Sequence, residues 1–144
     1  MYKRILFPTD GSDITAKAAQ SALGMAKLTG GELCVLAVKE PFPYSAISEM
    51  QPVPPQEFFD AQERVAAARV KAVVDVAAAA GVSCNAHTVE ALHAWEAILD
   101  HAKSQQCELI VMASHGRRGV AALLLGSETS RVLTHSEIPV LVIK

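Results

Sequence analysis

The sequence predicts an α/β fold in which helices cover both faces of a single doubly wound sheet of five parallel strands. Short apolar runs alternate with longer stretches of helical periodicity over the whole chain, in the order β-α-β-α-β-α-β-α-β. The second run, residues 33–38, is apolar throughout, which is typical of a strand covered on both faces. We therefore expect right-handed crossovers between neighbouring parallel strands.

Length and composition limit the possible functions. A chain of 144 residues predicts one domain over residues 1–144. The net charge of −2 gives no electrostatic reason to expect nucleic acid or an anionic membrane as a partner. Three cysteines without a C-x-x-C pair suggest a reducing cytoplasm. We expect neither a signal peptide nor a membrane span, because the apolar runs are too short.

The first half of the chain contains two strands and two helices. We expect a strand over residues 3–8, then a turn in which Ser12 or Asp13 caps a helix that ends at Gly30-Gly31. The second strand follows at 33–38. Five prolines between residues 40 and 56 exclude regular structure and predict a mobile loop.

A long helix is predicted from Glu57 to Ala80, and Gly81 is expected to end it. Its larger apolar residues, Phe58, Val65, Val73 and Val76, fall roughly in phase and predict the buried face.

The second half contains three strands and two helices. Residues 82–89 alternate between apolar and polar, which predicts a half-exposed edge strand. A helix over 93–103 precedes a buried strand at 109–112. The last helix covers 127–135 and the last strand covers 139–143.

The clearest indication of a ligand is Ala113-Ser114-His115-Gly116, followed after nine residues by Gly126-Ser127. The motif links a buried strand to the start of a helix. Such a junction presents unpaired backbone N–H groups to an anion, and the helix dipole adds to the attraction. The sequence has no P-loop and no G-x-G-x-x-G after the first strand. A response regulator needs several acids at this edge of the sheet, whereas the first strand ends in Asp10 alone.

Ligands of open α/β sheets bind beyond the carboxyl ends of the strands. If the first strand lies beside the fourth, Thr9-Asp10 and Ser114–Gly116 flank one crevice. The sequence alone does not establish that the two strands are neighbours.

The chain resembles the universal stress protein family over its whole length. The family motif G-x-x-G, nine residues, G-[ST] matches residues 113–116 and 126–127, with Ala113 in place of the first glycine. The opening Ile5–Ser12 and the ending Ile138–Ile143 also look like those of the family.

The resemblance implies a sheet of order 3-2-1-4-5 that binds ATP, usually with Mg²⁺, between the loops after strands one and four. It also implies a homodimer formed through the last strand, Val140–Ile143. The residues that match the family's nucleotide site are Pro8, Thr9 and Asp10 at the ribose and base, Val38 at the adenine, Met112 and Ala113 on the floor, and Gly116, Gly126, Ser127 and Thr129 at the phosphates.

Further residues of the predicted site have two interpretations each. Ser114 and His115 lie within the motif, and His115 either donates to a phosphate or is an idle loop residue. Arg117 is either part of a phosphate clamp or solvated. Asp10 orients the ribose or a metal-bound water, or caps the first helix together with Ser12 or Asp13. Ser127 is a phosphate ligand, the helix N-cap, or both.

Two residues depart from the family pattern. Ala113 costs about 1 kcal/mol or more if its position requires a positive φ, and nothing if a small side chain suffices. Glu128 opposes phosphates if it faces them, although a helix N-terminus also favours an acid.

Three functions remain open at this point. We expect a cytoplasmic ATP-binding protein that senses or regulates the stress response. A nucleotide-free dimeric interaction module and a slow ATPase are the alternatives. Only Asp10 or His115 offers a general base, and the spacing of the histidines and cysteines predicts no zinc site.

Overall fold

The computed structural model describes residues 1–42, 55–116 and 125–144. Within these ranges five strands alternate with four helices. Their bounds are β1 (Arg4–Pro8), α1 (Asp13–Thr29), β2 (Glu32–Lys39), α2 (Gln56–Ala79), β3 (Cys84–Glu90), α3 (Ala94–Ser104), β4 (Leu109–Ala113), α4 (Ser127–His135) and β5 (Val140–Ile143).

All neighbouring strands pair in parallel, in the order β3-β2-β1-β4-β5. β1 pairs with β4 through Ile5 and Leu6, so the loops that follow these two strands lie side by side. The predicted fold class, the strand order and the edge position of the third strand are confirmed.

The sheet separates two apolar cores. Ile5 and Phe7 of β1 pack on one face with α1 and α2, whereas Leu6 packs on the other face with α3 and α4. β1 is therefore buried on both sides, as the uninterrupted apolar pattern of a central parallel strand requires. The arrangement also places α2 and α4 on opposite faces of the sheet.

The predicted apolar face of α2 is only partly correct, since Val73 is buried but two of its other valines are not. Val65 and Val76 are 46% and 42% exposed, and the buried stripe consists of Ala66, Val70, Val73 and Ala77. This stripe has the i, i+4, i+7 spacing of one helix face, but half of its members are alanines. The larger valines dominated the pattern, while the helix packs closely through its small residues. Arg69, three residues after Ala66 and four before Val73, lies beside the packed stripe.

Two predicted features fall partly or wholly outside the described residues. Most of the loop expected at 40–56 lies in the undescribed range 43–54, and Arg117 lies in the undescribed range 117–124. In the three ranges that are described, no helix is both long and apolar enough to cross a bilayer.

Candidate functional site

A cavity of about 580 Å³ opens at the carboxyl edge of the sheet, above β1, β2 and β4. The structure brings together in its walls most of the residues predicted from the sequence, namely Pro8, Thr9, Asp10, Val38, Met112, Ala113, His115, Gly116, Ser127, Glu128 and Thr129. Ser114 is buried directly behind this wall and accepts a hydrogen bond from Gly126. The topology of the sheet explains the convergence, because β1 and β4 are neighbours at the point where the strand order reverses.

The loop between β1 and α1 is ordered by its own side chains. Asp10 Oδ1 accepts hydrogen bonds from the Ser12 N–H at 2.9 Å and from the Thr15 hydroxyl at 2.8 Å. Thr9 Oγ1 accepts the Gly11 N–H at 3.2 Å. Ser12 is the N-cap of α1, but its side chain makes no capping hydrogen bond. Asp10 therefore orders the turn before α1, but neither of these two bonds goes to a free N–H of the first helical turn, so the capping role expected as one alternative is not seen in them.

The other oxygen of the Asp10 carboxylate lies near the loop that follows β4. A Cβ atom built on Gly116 would come within 2.8 Å of Asp10 Oδ2, so only glycine fits there unless the carboxylate moves. The two loops thus meet across the cavity at this pair of residues.

The loop between β4 and α4 is closed by one short hydrogen bond. The Gly126 N–H donates to the Ser114 carbonyl oxygen at 2.7 Å. A Cβ atom on Gly126 would lie 3.2 Å from that oxygen and 3.4 Å from His115 Cα. Gly126 has a φ of −69°, which any residue adopts. Glycine is needed here for close backbone approach and not for an unusual conformation.

The N-terminus of α4 lies at the cavity without a side-chain cap. Its N-cap is Gly126, which has no side chain, and the helix begins at Ser127. The alternative in which Ser127 is the N-cap is therefore wrong. Ser127, Glu128 and Thr129, the first helical residues, all line the cavity. The first N–H groups of a helix have no intrahelical acceptor, so this end can bind an anion.

Thr129 joins α4 to β4. Its hydroxyl donates to the Ala113 carbonyl oxygen at 2.9 Å, and the pair is buried. The Thr129 hydroxyl therefore has no proton left to donate to a ligand phosphate at this position.

Ala113 is unstrained. Among the described residues only Tyr2 and Gln106 combine a side chain with a positive φ. Ala113 ends β4 as a buried, extended residue, so the conformational cost considered for a missing glycine does not arise.

The Glu128 carboxylate binds a second helix. Its Oε2 accepts the backbone N–H of Trp95 at 2.8 Å. Trp95 lies in the first turn of α3, whose N-cap His93 makes no side-chain capping bond. Glu128 therefore supplies the acceptor and the negative charge that this helix end favours. The carboxylate still lines the cavity.

His115 offers one unused nitrogen. Its Nδ1 lies 3.0 Å from Ser114 Oγ, while its Nε2 is buried without a hydrogen-bond partner. A buried ring nitrogen in this state is available to a ligand in the cavity.

The sequence analysis missed several residues of the wall, including Glu40 after β2 and residues from two further segments. Ala91, Leu92 and Ala94 contribute from the loop between β3 and α3. Leu92 is 77% exposed and adds apolar surface at the rim. This loop follows the carboxyl end of β3, the neighbour of β2, so the rule that located the other loops could have found it.

The second missed part comes from α2, which contributes Gln62 and Arg69. Arg69 Nε is buried without a hydrogen-bond partner. Leaving such a charged donor unsatisfied costs about 1–3 kcal/mol or more, so a partner is expected. No local signal marks these residues, since they reach the cavity only through the packing of α2 on the sheet.

Metal ligands are sparse. Within the described ranges no three His, Cys, Asp or Glu residues gather into a metal site. The rings of His87 and His101 lie 4.7 Å apart, without a third ligand among these residues. Mg²⁺ is commonly held by one or two carboxylates together with substrate phosphates. Asp10, whose carboxylate lies beside Gly116, fits a Mg²⁺ site of that type, but not a site built from three protein ligands among the described residues.

Comparison with known proteins agrees with this geometry. A family model described as the universal stress protein family matches residues 1–144. The chain belongs to the universal stress protein family. Universal stress protein MJ0531 of Methanocaldococcus jannaschii is 32% identical over 153 residues, which span 100% of this chain and 83% of that protein. Universal stress protein YxiE of Bacillus subtilis is 31% identical, with 100% of both chains covered.

Solved structures of universal stress proteins share the fold and include a nucleotide complex. Hypothetical protein MJ0577, a test case for the structure-based assignment of biochemical function, superposes with a TM-score of 0.85 at 27% identity, covering 100% of this chain and 96% of that chain. A universal stress protein in complex with cAMP gives a TM-score of 0.73 at 25% identity, covering 99% and 97% of the two chains. The resemblance noted in the sequence is confirmed.

Proposed function

We propose that this universal stress protein binds an adenine nucleotide, ATP with Mg²⁺, in the crevice between the β1 and β4 loops. The observation that carries the proposal is the uncapped N-terminus of α4, which lines the same cavity as Thr9 and Asp10. A volume of about 580 Å³ lies within the range of small-molecule sites, roughly 300–1,000 Å³. The cAMP complex of a family member supports the same class of ligand.

The chemistry of the walls suggests how the nucleotide lies. Val38, Met112 and Leu92 offer apolar surface for the base. Asp10 is the acceptor nearest to a ribose, and the backbone at Gly116 and Ser127 offers donors to the phosphates. In this arrangement Mg²⁺, when bound, neutralises phosphate charge, with Asp10 as the carboxylate that could reach it through water. Arg117 remains a proposed counter-charge.

We further propose that nucleotide binding serves a sensing or regulatory role in the cytoplasm. The competing interaction module without a nucleotide was motivated by Ala113 and Glu128. Ala113 is unstrained and no longer argues against a bound phosphate. Glu128 is hydrogen-bonded to the start of α3, but its charge remains at the cavity wall and weakens the attraction for a phosphate without excluding it. For the ATPase alternative, Asp10 Oδ1 already accepts two hydrogen bonds, which lowers its value as a general base.

The decisive experiment follows thermal unfolding during a titration with Mg-ATP. Ligand at about 100 times Kd stabilises the folded state by about 2.7 kcal/mol, which raises Tm by several degrees in a chain of this size. Gly126→Val should abolish most of this shift, because its side chain would press against the Ser114 carbonyl. Gly24→Val is the matched control, since a Cβ atom there meets nothing within 4 Å. Absence of a shift with millimolar Mg-ATP would overturn the proposal.

A further inference from the structure

Arg69 places a positive charge in the crevice, and its Nε has no hydrogen-bond partner among the described residues. Its side chain lines the cavity, and this Nε is buried. None of the three ion pairs among the described residues includes Arg69. A guanidinium has only donors and stays charged at every physiological pH. A buried donor of this kind indicates an anionic partner that comes from the ligand.

Glu63 and Asp10 have partners other than Arg69, and Glu40, which also lines the cavity, makes an interaction of its own. Glu63, on the same helix, pairs with Lys39 at 2.6 Å, and this contact lowers the pKa of the Glu63 carboxyl. Asp10 Oδ1 accepts hydrogen bonds from Ser12 and Thr15. The cavity wall thus retains a cationic position at α2 that is distinct from the anion-binding end of α4.

The position of Arg69 along the crevice is set by Gly11. The Arg69 side chain lies over this glycine, and a Cβ atom on Gly11 would be 3.0 Å from Arg69 Cγ and 3.5 Å from Nε. Gly11 has a φ of +75° and directly follows Asp10. Arg69 therefore reaches the cavity from the α2 face of the sheet, beside the loop proposed to hold the ribose. The α4 N-terminus reaches it from the opposite face.

We propose that Arg69 binds a phosphate group on the 2′- or 3′-hydroxyl of the ribose, so that the crevice prefers adenine nucleotides that carry this second phosphate. This inference rests on the proposed nucleotide site. The 5′-phosphates are assigned to the α4 end, and the apolar wall suits the base, which leaves the ribose edge for Arg69. The planar guanidinium matches a phosphate in a two-point contact, which a lysine does not reproduce.

The experiment compares four ligands by isothermal titration calorimetry: AMP, ATP, adenosine 2′,5′-bisphosphate and adenosine 3′,5′-bisphosphate. We expect one bisphosphate to bind at least tenfold more tightly than AMP, a difference of about 1.4 kcal/mol. The preferred isomer identifies the hydroxyl that carries the phosphate. Arg69→Gln should reduce this preference to less than twofold, because the preferred bisphosphate loses much more affinity than AMP does.

Two further variants separate charge, packing and position. Arg64→Gln removes the same charge from the same helix at an exposed residue that does not line the cavity, so it should retain the full preference. Arg69→Lys keeps the positive charge and an aliphatic side chain over Gly11, but it lacks the planar guanidinium. We therefore expect it to retain only part of the preference for the bisphosphate. Thermal unfolding without ligand shows whether each variant is folded.

The outcomes are distinct. If the wild-type protein binds AMP and both bisphosphates equally, the inference fails while the proposed function stands. Equal weakening of all four ligands by Arg69→Gln would show a packing role and overturn it. Loss of the ATP-over-AMP ratio would place Arg69 at the 5′-phosphates and also overturn it. If no nucleotide binds, the proposed function fails, and the inference fails with it.

Discussion

At the scale of single residues, the hydrogen bond from Thr129 to the Ala113 carbonyl is the most consequential side-chain contact of the site. Thr129→Val removes the donor but keeps the shape, so a buried carbonyl loses its partner. We expect the free energy of unfolding to fall by about 1–3 kcal/mol in urea titrations. Thr129→Ser keeps the hydroxyl and should lose less. Equal stability of the wild-type and Val proteins would contradict this role.

The pair of His101 and His87 makes the folding stability depend on pH. Burial lowers the pKa of His101, and the nearby His87 ring lowers it further. The unfolded chain therefore binds a proton at His101 more readily than the folded chain, so stability is complete above about pH 6.5 and falls as the pH drops below it. His101→Gln should reduce the loss of stability between pH 7.5 and 5.5. His93→Gln, at an exposed residue, is the control, and an unchanged loss in His101→Gln would contradict the assignment.

Gly126 shows what a sequence motif reveals at the residue scale and what it leaves open. The spacing of the motif located the loop correctly. The reason for the glycine lies in the 3.2 Å approach of a potential Cβ to the Ser114 carbonyl. Such an approach depends on two segments that are separated by eleven residues, so it cannot be deduced from either one alone.

At the scale of elements, Glu128 couples α4 to α3. Glu128→Gln keeps a hydrogen-bond acceptor for the Trp95 N–H but removes the charge that favours the N-terminus of α3. We expect a loss of about 0.3–1 kcal/mol in the free energy of unfolding. Anionic ligands should bind more tightly, because one negative charge leaves the cavity wall.

The control for this prediction is Glu96→Gln. Glu96 lies in the first turn of α3, the turn that Glu128 contacts, but it does not line the cavity. The variant should lower stability by a similar amount without a change in affinity. Both quantities follow from unfolding curves recorded with and without nucleotide. An unchanged or weaker affinity in Glu128→Gln would show that its charge does not act on the ligand.

The elements were predicted unequally well, for physical reasons. β4 was predicted at 109–112 and extends over Leu109–Ala113, because a continuous apolar run marks a buried strand. α2 was also predicted as a helix, but of its buried face only Val73 was predicted. Alanines carry little hydropathy, and yet their small size is what permits close packing, as at Ala66 and Ala77.

At the scale of the whole molecule, β5 is one of the two edge strands of the sheet, and β3 is the other. β5 pairs with β4 on one side, and its residues are only half buried. The carbonyl group of Pro139 accepts the N–H of Ile110 in β4, and that of Ile143 accepts the N–H of Ser114, the residue after β4. The N–H and C=O groups of successive strand residues point alternately to the two sides of the strand, so the N–H of Val142 points away from β4. Unpaired edges of this kind favour pairing with a second chain.

We therefore expect a homodimer formed through Val140–Ile143. Val142→Pro removes an outward N–H and leaves the bonds to β4 intact, so it should convert the dimer to a monomer without unfolding it. Val142→Ala is the control that retains the N–H and should remain dimeric. Light scattering at micromolar concentration measures both, and a monomeric wild-type protein would contradict the prediction.

The sequence by itself determined the order of strands and helices, the burial of the central strands, and the glycine-serine loop at which an anion can bind. These properties depend on local features of the chain. The features are the periodicity of apolar residues, the ends of helices and strands at glycine and proline, and the backbone groups that a helix end leaves unpaired. The resemblance to the family added the strand order and the expectation of a nucleotide.

The tertiary structure alone decided which side chains complete the crevice. It brought Arg69 from α2 to the side of Gly11, aimed Glu128 at the start of α3, and placed Leu92 at the rim. It also showed that Ala113 carries no strain at the end of β4. Each of these facts depends on how a helix packs against the sheet. That packing is set by residues far apart in the chain, and no window of sequence contains it.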